Sequence, residues 1–474
     1  MPKIWLGVLS ILERYIQEPL YINTPPIQEL TEGDIAKIRP AISAAHALKE
    51  NGIIDFIEKQ KRIYDDEPPF YAYRAVSPKN HGYEKNSGHG VHFFSEKRAL
   101  WRTLGECVER FLWRYENESN SEYITASYEE MPERTLDIFS VVGFSNEQRA
   151  DNKFIQFTEK TPLRWVPSTS LISNKKIYCP AQFSSAYYMG FVQTPFLKDE
   201  KSRRDEPMLR WCVSTGLATG ASTEDALVSG ILEIIERDAF MISYLNKLTP
   251  PQVDLEELAL RDKEVSLILK SFKRHNLEAY VLELPTDFPV AVYCTVIKDK
   301  SGVGPSIAVG ASADFDKKTC LLDSMSEALS VRVSVRSLSK RHSNKIKNMN
   351  QDGRLIHWAQ KEQLEKLNFF LGGEKKKCAF TTNKTGRVRH GKEELKELIH
   401  SFKKNGQELC YVDLTTKETR GAGFFTVNVI APEMQPLHLN EFVPYLSGKR
   451  LREVPEKLGY TSAETLNTEP HPFP

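Results

Sequence analysis

The chain has 474 residues, enough for two or three ordinary domains or for one large α/β domain with an appendage. Apolar residues make up 40% and charged residues 27%, a globular profile that excludes a mostly disordered chain. The 64 Lys and Arg residues balance the 63 Asp and Glu residues, so the net charge favours neither nucleic acid nor an anionic membrane as a partner. Any polyanion must therefore bind at a local site.

Residues 1 to about 65 predict a small helical or mixed N-terminal region. The apolar run from Ile4 to Leu12 is too short to span a bilayer and predicts an amphipathic helix. Helical spacing of apolar residues follows at 41–48 and again at 53–57. The acidic and proline-rich stretch at 65–69 ends this region.

From residue 66 to the C-terminus the pattern alternates between strands and helices, which predicts an α/β (α+β) domain. Between about 334 and 405 the chain is polar and basic, a composition more typical of solvated helices and loops than of an interaction surface. The alternating prolines of 470–474 fix φ at every second residue and predict an extended strap. β-rich runs lie at 153–157, 279–284, 291–297 and 424–429.

The seven cysteines are scattered and never spaced as Cys-x-x-Cys, so the sequence signals neither a zinc site nor a disulfide framework. We expect reduced thiols in a cytoplasmic protein, without a role in the chemistry. The cysteines are Cys107, Cys179, Cys212, Cys294, Cys320, Cys378 and Cys410.

One pattern occurs three times: a turn or strand containing glycine, then a helix with a Glu at a fixed place. We call these segments the three strand-turn-helix units. In the first two units a second Glu follows three positions after the first, and an Arg comes directly after it. The residues are Gly90 with Glu106, Glu109 and Arg110; Gly216 and Gly220 with Glu233, Glu236 and Arg237; and Gly310 with Glu327.

Positions i and i+3 share one face of a helix, so each Glu pair forms a two-carboxylate pincer. Mg²⁺ prefers hard oxygen ligands and is commonly held by one or two carboxylates together with nucleotide phosphates. Two pincers suit two magnesium ions on a triphosphate, and we expect them to face one another. The alternative for each pincer is a solvated helix face with weak salt bridges, and for each glycine an ordinary turn. The chain lacks a Walker-type phosphate loop.

At these residues the sequence resembles the YcaO family, from about residue 66 to the C-terminus. The family pattern contains Glu-x-x-Glu-Arg, later Ser-Asn-Gly-x-Ala-x-Gly, then Glu-x-x-Glu-Arg-Asp and a third Glu-x-x-Gln-x-Arg. Matching residues are Glu106, Glu109, Arg110, Ser214, Gly216, Ala218, Gly220, Glu233, Glu236, Arg237, Asp238, Glu327 and Arg332.

The resemblance implies that ATP and Mg²⁺ are bound, with the metal on Glu106, Glu109, Glu233 and Glu236. It implies nucleotide contacts from Gly90, Arg110, Ser214, Gly216, Gly220, Arg237, Glu327 and Arg332. It also implies a large domain of the YcaO type built on the three strand-turn-helix units.

The ending Pro470-His-Pro-Phe-Pro474 is similar to that of the azoline-forming branch, whose tail reaches its own active site. In that branch a Cys, Ser or Thr of a ribosomally made peptide is cyclised to a thiazoline or oxazoline after ATP phosphorylates the amide oxygen. The terminal carboxylate of Pro474 and the ring of His471 are the candidate bases; the alternative for His471 is a solvated tail residue. Removal of 470–474 is predicted to impair cyclisation with little effect on thermal stability.

Four positions depart from the family pattern: His89 replaces a lysine, Arg102 a serine, Thr215 an asparagine and Ser330 a glutamine. These departures leave two alternatives open. One is ATP-dependent formation of a thioamide or an amidine, and the other is a non-catalytic scaffold that has lost nucleotide contacts.

The resemblance further implies partners. They are a ribosomal precursor peptide of the bacteriocin kind, an E1-like protein that binds the leader peptide and, in some systems, an FMN dehydrogenase that oxidises the azoline. Neither a nucleic acid nor a membrane is expected, and the sequence leaves a homodimer open.

Overall fold

The structure is a computed structural model. It describes residues 32–60, 66–78, 86–114, 124–131, 134–150, 155–184, 206–210, 213–341, 351–378, 380, 391–441 and 444–474. The predicted amphipathic helix at 4–12 lies outside these residues, as does Cys212.

The described helices and strands alternate along the chain and confirm a mixed α/β fold. The helices are α1 (Glu32–Glu50), α2 (Glu96–Arg114), α3 (Asn146–Ala150), α4 (Thr223–Leu245), α5 (Leu255–Arg261), α6 (Lys263–Arg274), α7 (Lys317–Arg341), α8 (Gln351–Trp358), α9 (Lys392–Lys404), α10 (Lys417–Gly421) and α11 (Arg450–Lys457). The strands are β1 (Phe56–Lys59), β2 (Tyr71–Val76), β3 (Ser87–His92), β4 (Ile124–Ser127), β5 (Pro162–Ser170), β6 (Lys175–Pro180), β7 (Leu217–Gly220), β8 (Gln252–Val253), β9 (Leu277–Glu283), β10 (Ala291–Asp299), β11 (Ile307–Asp314), β12 (Lys375–Lys376), β13 (Cys410–Asp413) and β14 (Phe425–Ile430).

The chain forms two compact lobes. The first lobe comprises Met1–Phe111 and Lys417–Gly423, and the second comprises Leu112–Thr416 and Phe424–Pro474. The domain boundary predicted near residue 65 falls within the span of the first lobe and stays a prediction.

In the first lobe, β1, β2 and β3 form an antiparallel sheet in that order, with β3 at one edge. The helical spacing predicted at 41–48 is confirmed by α1, but the helix predicted at 53–57 is wrong. Gly52 has a φ of +70°, which ends α1, and the chain then enters β1, where Phe56 pairs with Val76. The apolar residues at 53–57 fit either element, and pairing with β2 decides.

The second lobe contains two sheets. One has the strand order β4-β5-β13-β14-β7, with β6 paired to β5, and the other has the order β11-β10-β9-β8-β12. The strands predicted at 279–284, 291–297 and 424–429 are confirmed as β9, β10 and β14. The run predicted at 153–157 is not a strand in its described part, 155–157. Within the described residues, no helix combines the length and apolar character needed to cross a membrane.

The three strand-turn-helix units are confirmed as β3–α2, β7–α4 and β11–α7. Each unit begins on the edge strand of its sheet, as far as the structure describes the sheets, and the helix follows after two or three residues. Helix α4 is capped by Ser222, whose side chain accepts from the Asp225 N–H, and most of its residues are buried. This helix therefore forms the centre of the larger apolar core.

Glycines allow the helices to lie directly on these strands. A Cβ at Gly90 would stand 2.1 Å from the Ala99 carbonyl oxygen of α2, and one at Gly310 would stand 2.3 Å from the Ala328 nitrogen of α7. Gly216 differs, because its φ is +86° and a Cβ there would lie 2.1 Å from the Val429 carbonyl oxygen. Close packing of backbones is therefore one reason for these glycines.

We predict that Gly90→Ala lowers the free energy of unfolding by at least about 2 kcal/mol, because the obstructing atoms belong to the backbone of α2 and cannot rotate away. Gly105→Ala, within α2, is the matched control. A Cβ there meets nothing within 4 Å, so we expect unchanged stability or a gain of up to about 1 kcal/mol. Chemical denaturation of both variants measures the difference. Equal stabilities would contradict the packing argument.

Candidate active site

The first Glu of each unit is bonded to the backbone of its own strand segment. Glu233 Oε2 accepts from the Gly216 N–H at 2.8 Å, and Glu327 Oε2 accepts from the Ala311 N–H at 2.9 Å. In the first lobe, Glu106 Oε2 accepts from the His89 N–H in the same way. This bond recurs in all three units, so each of these carboxylates is held in a fixed orientation.

The Arg that follows each pincer neutralises the first Glu rather than the second. Arg237 Nη2 lies 2.7 Å from Glu233 Oε1, and Arg110 pairs with Glu106 in the first lobe. Both are i, i+4 pairs, which face each other along a helix. Arg237 also donates to the Thr215 hydroxyl, at the position where the family pattern has asparagine.

Arg332 of the third unit has a different environment. The position that faces Glu327 along the helix, four residues on, is Val331. Arg332 lies one residue further, about 100° around the helix, and therefore faces a different neighbour. Its Nη2 is 2.7 Å from Asp299 Oδ2, and both side chains are only 1% exposed. The contact in the structure is therefore a buried ion pair, and the predicted nucleotide contact stays a prediction.

Glu236 brings the second and third units together. Its carboxylate is bonded to the backbone of Ala313 on β11, two residues from the N–H that Glu327 occupies. Burial and the charge of Glu327 raise the pKa of Glu236 well above its ordinary value; Arg237 opposes this shift, and Glu233 adds to it. The second and third units thus supply three neighbouring carboxylates and one guanidinium.

This acidic cluster (Glu233, Glu236 and Glu327) fits a divalent cation. Its donors are hard oxygen atoms, and burial together with the charge of Glu327 disfavours the ionised form of Glu236, which a bound cation would stabilise. Glu106 and Glu109 belong to the first lobe, where both are half-buried on α2. That the two pincers face one another stays a prediction.

His89 does not replace the charge of the family lysine. Partial burial, then Arg110 and Arg74, lower its pKa to about 4, so the ring is neutral at pH 7. Its Nε2 lies 3.0 Å from the Ser87 hydroxyl. The positive charge beside His89 comes instead from Arg110 of α2, which donates to the Ser87 carbonyl at 2.8 Å, and from Arg74 of β2.

The other departures also have described positions. Arg102 donates to the Val91 carbonyl at 3.2 Å, along β3. Ser330 is half-buried on α7. Ser214 and Gly216 shape the turn before β7, where the Leu217 N–H donates to the Ser214 carbonyl at 2.9 Å and the Val429 N–H donates to the Gly216 carbonyl at 2.8 Å. Gly220 ends β7 against the first turn of α4.

The C-terminal strap, residues 470–474, is ordered and packed. The Pro470 carbonyl accepts from the Tyr244 hydroxyl at 2.9 Å and from Trp358 Nε1 at 2.8 Å. Phe473 is 2% exposed, with its ring centroid 4.8 Å from that of Phe240, whereas Pro474 is half-buried. The strap predicted from the alternating prolines is therefore packed against the second lobe rather than frayed.

His471 is buried, so its alternative as a solvated tail residue is wrong as well. Its Nε2 lies 2.8 Å from the His438 carbonyl oxygen, which places the ring proton on this nitrogen. Burial, then Arg354 and His438, lower the pKa of His471 well below its ordinary value, so the ring is neutral. Its role as a base stays a prediction.

Sequence reasoning missed the ion pairs that hold α4. Asp238 accepts from Arg450 Nε at 2.8 Å and from the Gln435 N–H at 2.8 Å, and Arg450 also pairs with Asp287 at 2.7 Å. Asp238 matched the family pattern without an assigned role. The partner Arg450 lies 212 residues away, so no local signal reveals it.

The six described cysteines are free and buried. Burial raises the pKa of the thiols of Cys107 and Cys179 to about 12, and it raises those of Cys294, Cys320 and Cys410 well above the ordinary value. These five thiols are therefore protonated at neutral pH and are poor nucleophiles; that the cysteines take no part in the chemistry stays a prediction.

A family model described as a YcaO cyclodehydratase that binds ATP and Mg²⁺ matches residues 88–435. A solved heterocyclase in complex with substrate and cofactor is 20% identical, with a TM-score of 0.71 over 92% of this chain and 57% of its own. The chain thus spans little more than half of that protein.

Two further solved structures cover most of both chains. YcaO from Methanopyrus kandleri, bound with AMPPCP and Mg²⁺, is 16% identical with a TM-score of 0.58, over 87% of this chain and 95% of its own. The E. coli microcin synthetase McbBCD complex with pro-MccB17 bound contains a chain that is 14% identical with a TM-score of 0.61, over 88% of this chain and 96% of its own. At these identities the likeness shows a shared fold.

We predict that Glu236→Gln weakens binding of a non-hydrolysable ATP analogue with Mg²⁺ by at least about tenfold, or 1.4 kcal/mol, because it removes a carboxylate that we expect to hold the metal. Isothermal titration measures this. Glu256→Gln, at an exposed position of α5, is the control and should bind normally.

The same variant has a second expected effect, in the metal-free protein. Because the pKa of Glu236 is raised in the folded state, its contribution to stability is fully present below the pKa of the unfolded chain. That contribution is lost as the pH rises through the pKa of the folded state. In EDTA, Glu236→Gln should therefore melt above the wild type at pH 8, and the difference should shrink towards pH 5. A lower melting temperature at pH 8, together with unchanged nucleotide affinity, would contradict the assignment.

Proposed function

Because the chain belongs to the YcaO family, we propose that it is an ATP- and Mg²⁺-dependent cyclodehydratase acting on a ribosomally synthesised precursor peptide. Its products are thiazolines from Cys and oxazolines or methyloxazolines from Ser or Thr. The observation that carries the proposal is the acidic cluster of the second and third units, where Glu236 and Glu327 bind consecutive outward N–H groups of β11.

The sulfur of a Cys thiol, or the oxygen of a Ser or Thr hydroxyl, bonds to the preceding carbonyl carbon of the peptide and loses its proton. The former carbonyl oxygen takes the γ-phosphoryl group of ATP, releasing ADP. The carbon–oxygen bond then breaks, phosphate departs, the amide nitrogen loses its proton, and a C=N bond remains. The peptide has lost the elements of one water molecule.

The chain's own residues divide this work. Bound Mg²⁺ would neutralise phosphate charge, and Glu106, Glu109, Glu233 and Glu236 are the carboxylates proposed to hold it. Arg237 and Arg110 orient the first Glu of each pincer. No thiol nucleophile is needed, because the nucleophile belongs to the peptide. The terminal carboxylate of Pro474 is proposed to accept a proton or orient the peptide.

Partners and location are part of the proposal. The solved microcin synthetase is a complex of several proteins with a bound pro-peptide, which supports a precursor peptide and an E1-like partner here. An FMN dehydrogenase would act on the azoline afterwards. We propose that the reaction takes place in the cytoplasm.

The decisive experiment uses a short Cys- and Ser-rich peptide encoded beside this chain's gene, together with any E1-like protein encoded there, ATP and Mg²⁺. We expect peptide-dependent phosphate release and the loss of one water mass per ring. Exchange of oxygen for sulfur would support a thioamide synthetase instead. Failure to bind the Mg²⁺-bound ATP analogue would support a non-catalytic scaffold.

The strap provides a separate test, and the burial of Phe473 decides which variant to use. Deleting 470–474 removes the buried Phe473, so the expectation of unchanged thermal stability is wrong for that deletion. A Gly-Ser extension after Pro474 instead displaces the carboxylate and leaves the buried residues in place. We predict at least about tenfold slower cyclisation, about 1.4 kcal/mol in the barrier, at an unchanged melting temperature.

An N-terminal Gly-Ser extension is the control and should cyclise at the wild-type rate. Undiminished water loss from the C-terminally extended enzyme would exclude a role for the carboxylate.

A further inference from the structure

A group of buried polar side chains lies against the end of the strap. Its centre is Arg354 of α8, whose side chain is fully buried. Arg354 Nη2 donates to the Phe473 carbonyl at 3.0 Å and Nη1 donates to the His438 carbonyl at 3.1 Å. Nη1 also lies 3.3 Å from the carboxylate of Glu441. One guanidinium therefore joins the penultimate residue of the chain to the segment around 438–441.

The same group contains three side chains that could in principle bind a metal. Ligand atoms of His438, Glu441 and His471 all lie within 4.8 Å of one another. Charge argues against a cation: Arg354 already balances Glu441, and burial lowers the pKa of Arg354 only to about 10, so it stays charged at neutral pH. A divalent ion would place two further positive charges beside a buried guanidinium. The group is a charge-balanced clamp.

The backbone of the strap is stiff, so holding the Phe473 carbonyl also fixes the position of the Pro474 carboxylate. Pro470, Pro472 and Pro474 have φ fixed near −65°, and each residue before a proline is confined to extended conformations. Once the Phe473 carbonyl is held, the planar peptide bond and the ring of Pro474 determine where its carboxylate carbon lies. The remaining freedom is rotation about one bond, which moves only the two oxygens.

A second anchor holds the other end of the strap. The Pro470 carbonyl accepts from Tyr244 and Trp358, and Tyr244 stands on α4, eight residues after Glu236. Eight residues of helix span about 12 Å. The helix that carries the second pincer is thus bonded directly to the strap.

We propose that Arg354 is the positioning residue for the carboxylate of Pro474, and that Glu441 holds Arg354 in place. The inference rests on the proposed function, because it concerns how that carboxylate is delivered. Arg354 does not touch the reacting atoms; it acts through the penultimate carbonyl. A lysine keeps the charge but cannot donate to two carbonyls with a planar fork.

The test is a double-mutant cycle that combines Arg354→Lys with the Gly-Ser extension after Pro474. The substrate is the precursor peptide that the wild-type enzyme is found to cyclise. Alone, Arg354→Lys should lower kcat for its cyclisation by at least about tenfold, while KM for peptide and for ATP stays within about twofold of the wild-type value. In the extended enzyme the same substitution should have no further effect, since the carboxylate is already displaced.

Arg450→Lys is the matched control. Arg450 is also a buried, ion-paired arginine, but its described partners are Asp238 and Asp287. Its effect on kcat should add to that of the extension. If Arg354→Lys also adds to the extension, or raises KM as much as it lowers kcat, the positioning role is wrong. If the extension alone has no effect, the proposed use of the carboxylate fails instead.

A readout without substrate decides the structural step. In Arg354→Lys, amide hydrogen exchange should rise by at least about tenfold in the peptide covering 460–474 and stay unchanged in α4. Tyr244→Phe, which removes a single hydroxyl donor to Pro470, should raise exchange in the same peptide less, and it serves if Arg354→Lys does not fold. Wild-type exchange at 460–474 in both variants would overturn the inference. Zinc analysis of the purified protein should show none; stoichiometric zinc would favour a metal at His438, Glu441 and His471.

Discussion

The hydrogen bond that a backbone N–H of each strand segment donates to a glutamate of the following helix is the interaction on which the site depends. A carboxylate on a free helix face has many rotamers, and its position would vary by several ångströms. Here Glu233 accepts from the N–H directly before β7 and Glu327 accepts from an N–H of β11, which the glycines make possible by letting each helix lie on its strand. Packing of backbones thus determines where charge is placed. The pKa of Glu236 rises because this packing buries its carboxylate and places it beside the charge of Glu327.

Helix α4 connects the parts of the second lobe that the proposed phosphorylation would have to coordinate. Along one helix lie Glu233 and Glu236 in the acidic cluster, Asp238 in the ion pair with Arg450, and Tyr244 at the strap. The apolar side of the helix is buried in the larger core, so it cannot move without disturbing that core. Rigidity of this kind suits chemistry that relies on positioning and on fixed charges.

Sequence reasoning reached the features that repeat or are local. The Glu spacing, the strand-helix alternation and the proline-fixed strap follow from periodicity and from proline geometry, and the structure has them. Sequence reasoning failed where a contact joins segments that are far apart along the chain. Nothing near Arg354 predicts contact with Phe473, 119 residues away, and nothing near Glu236 predicts its bond to β11. The segment at 53–57 fits a helix or a strand, and only β2 resolves it. Arg332 shows a subtler limit. In the first two units the arginine stands four positions after the first Glu and pairs with it, whereas Arg332 stands five positions after Glu327 and pairs with the buried Asp299 instead.

The bonded glutamates also affect how this protein behaves in concentrated solution. An edge strand offers outward N–H groups to which a strand of another molecule can add, and this is a common route to aggregation. In β11 two such groups, on Ala311 and Ala313, are taken by the carboxylates of Glu327 and Glu236. In β3 the His89 N–H is taken by Glu106. The carboxylates of the three units therefore occupy N–H groups at the sheet edges that a strand of another molecule would need for pairing, and this opposes self-association.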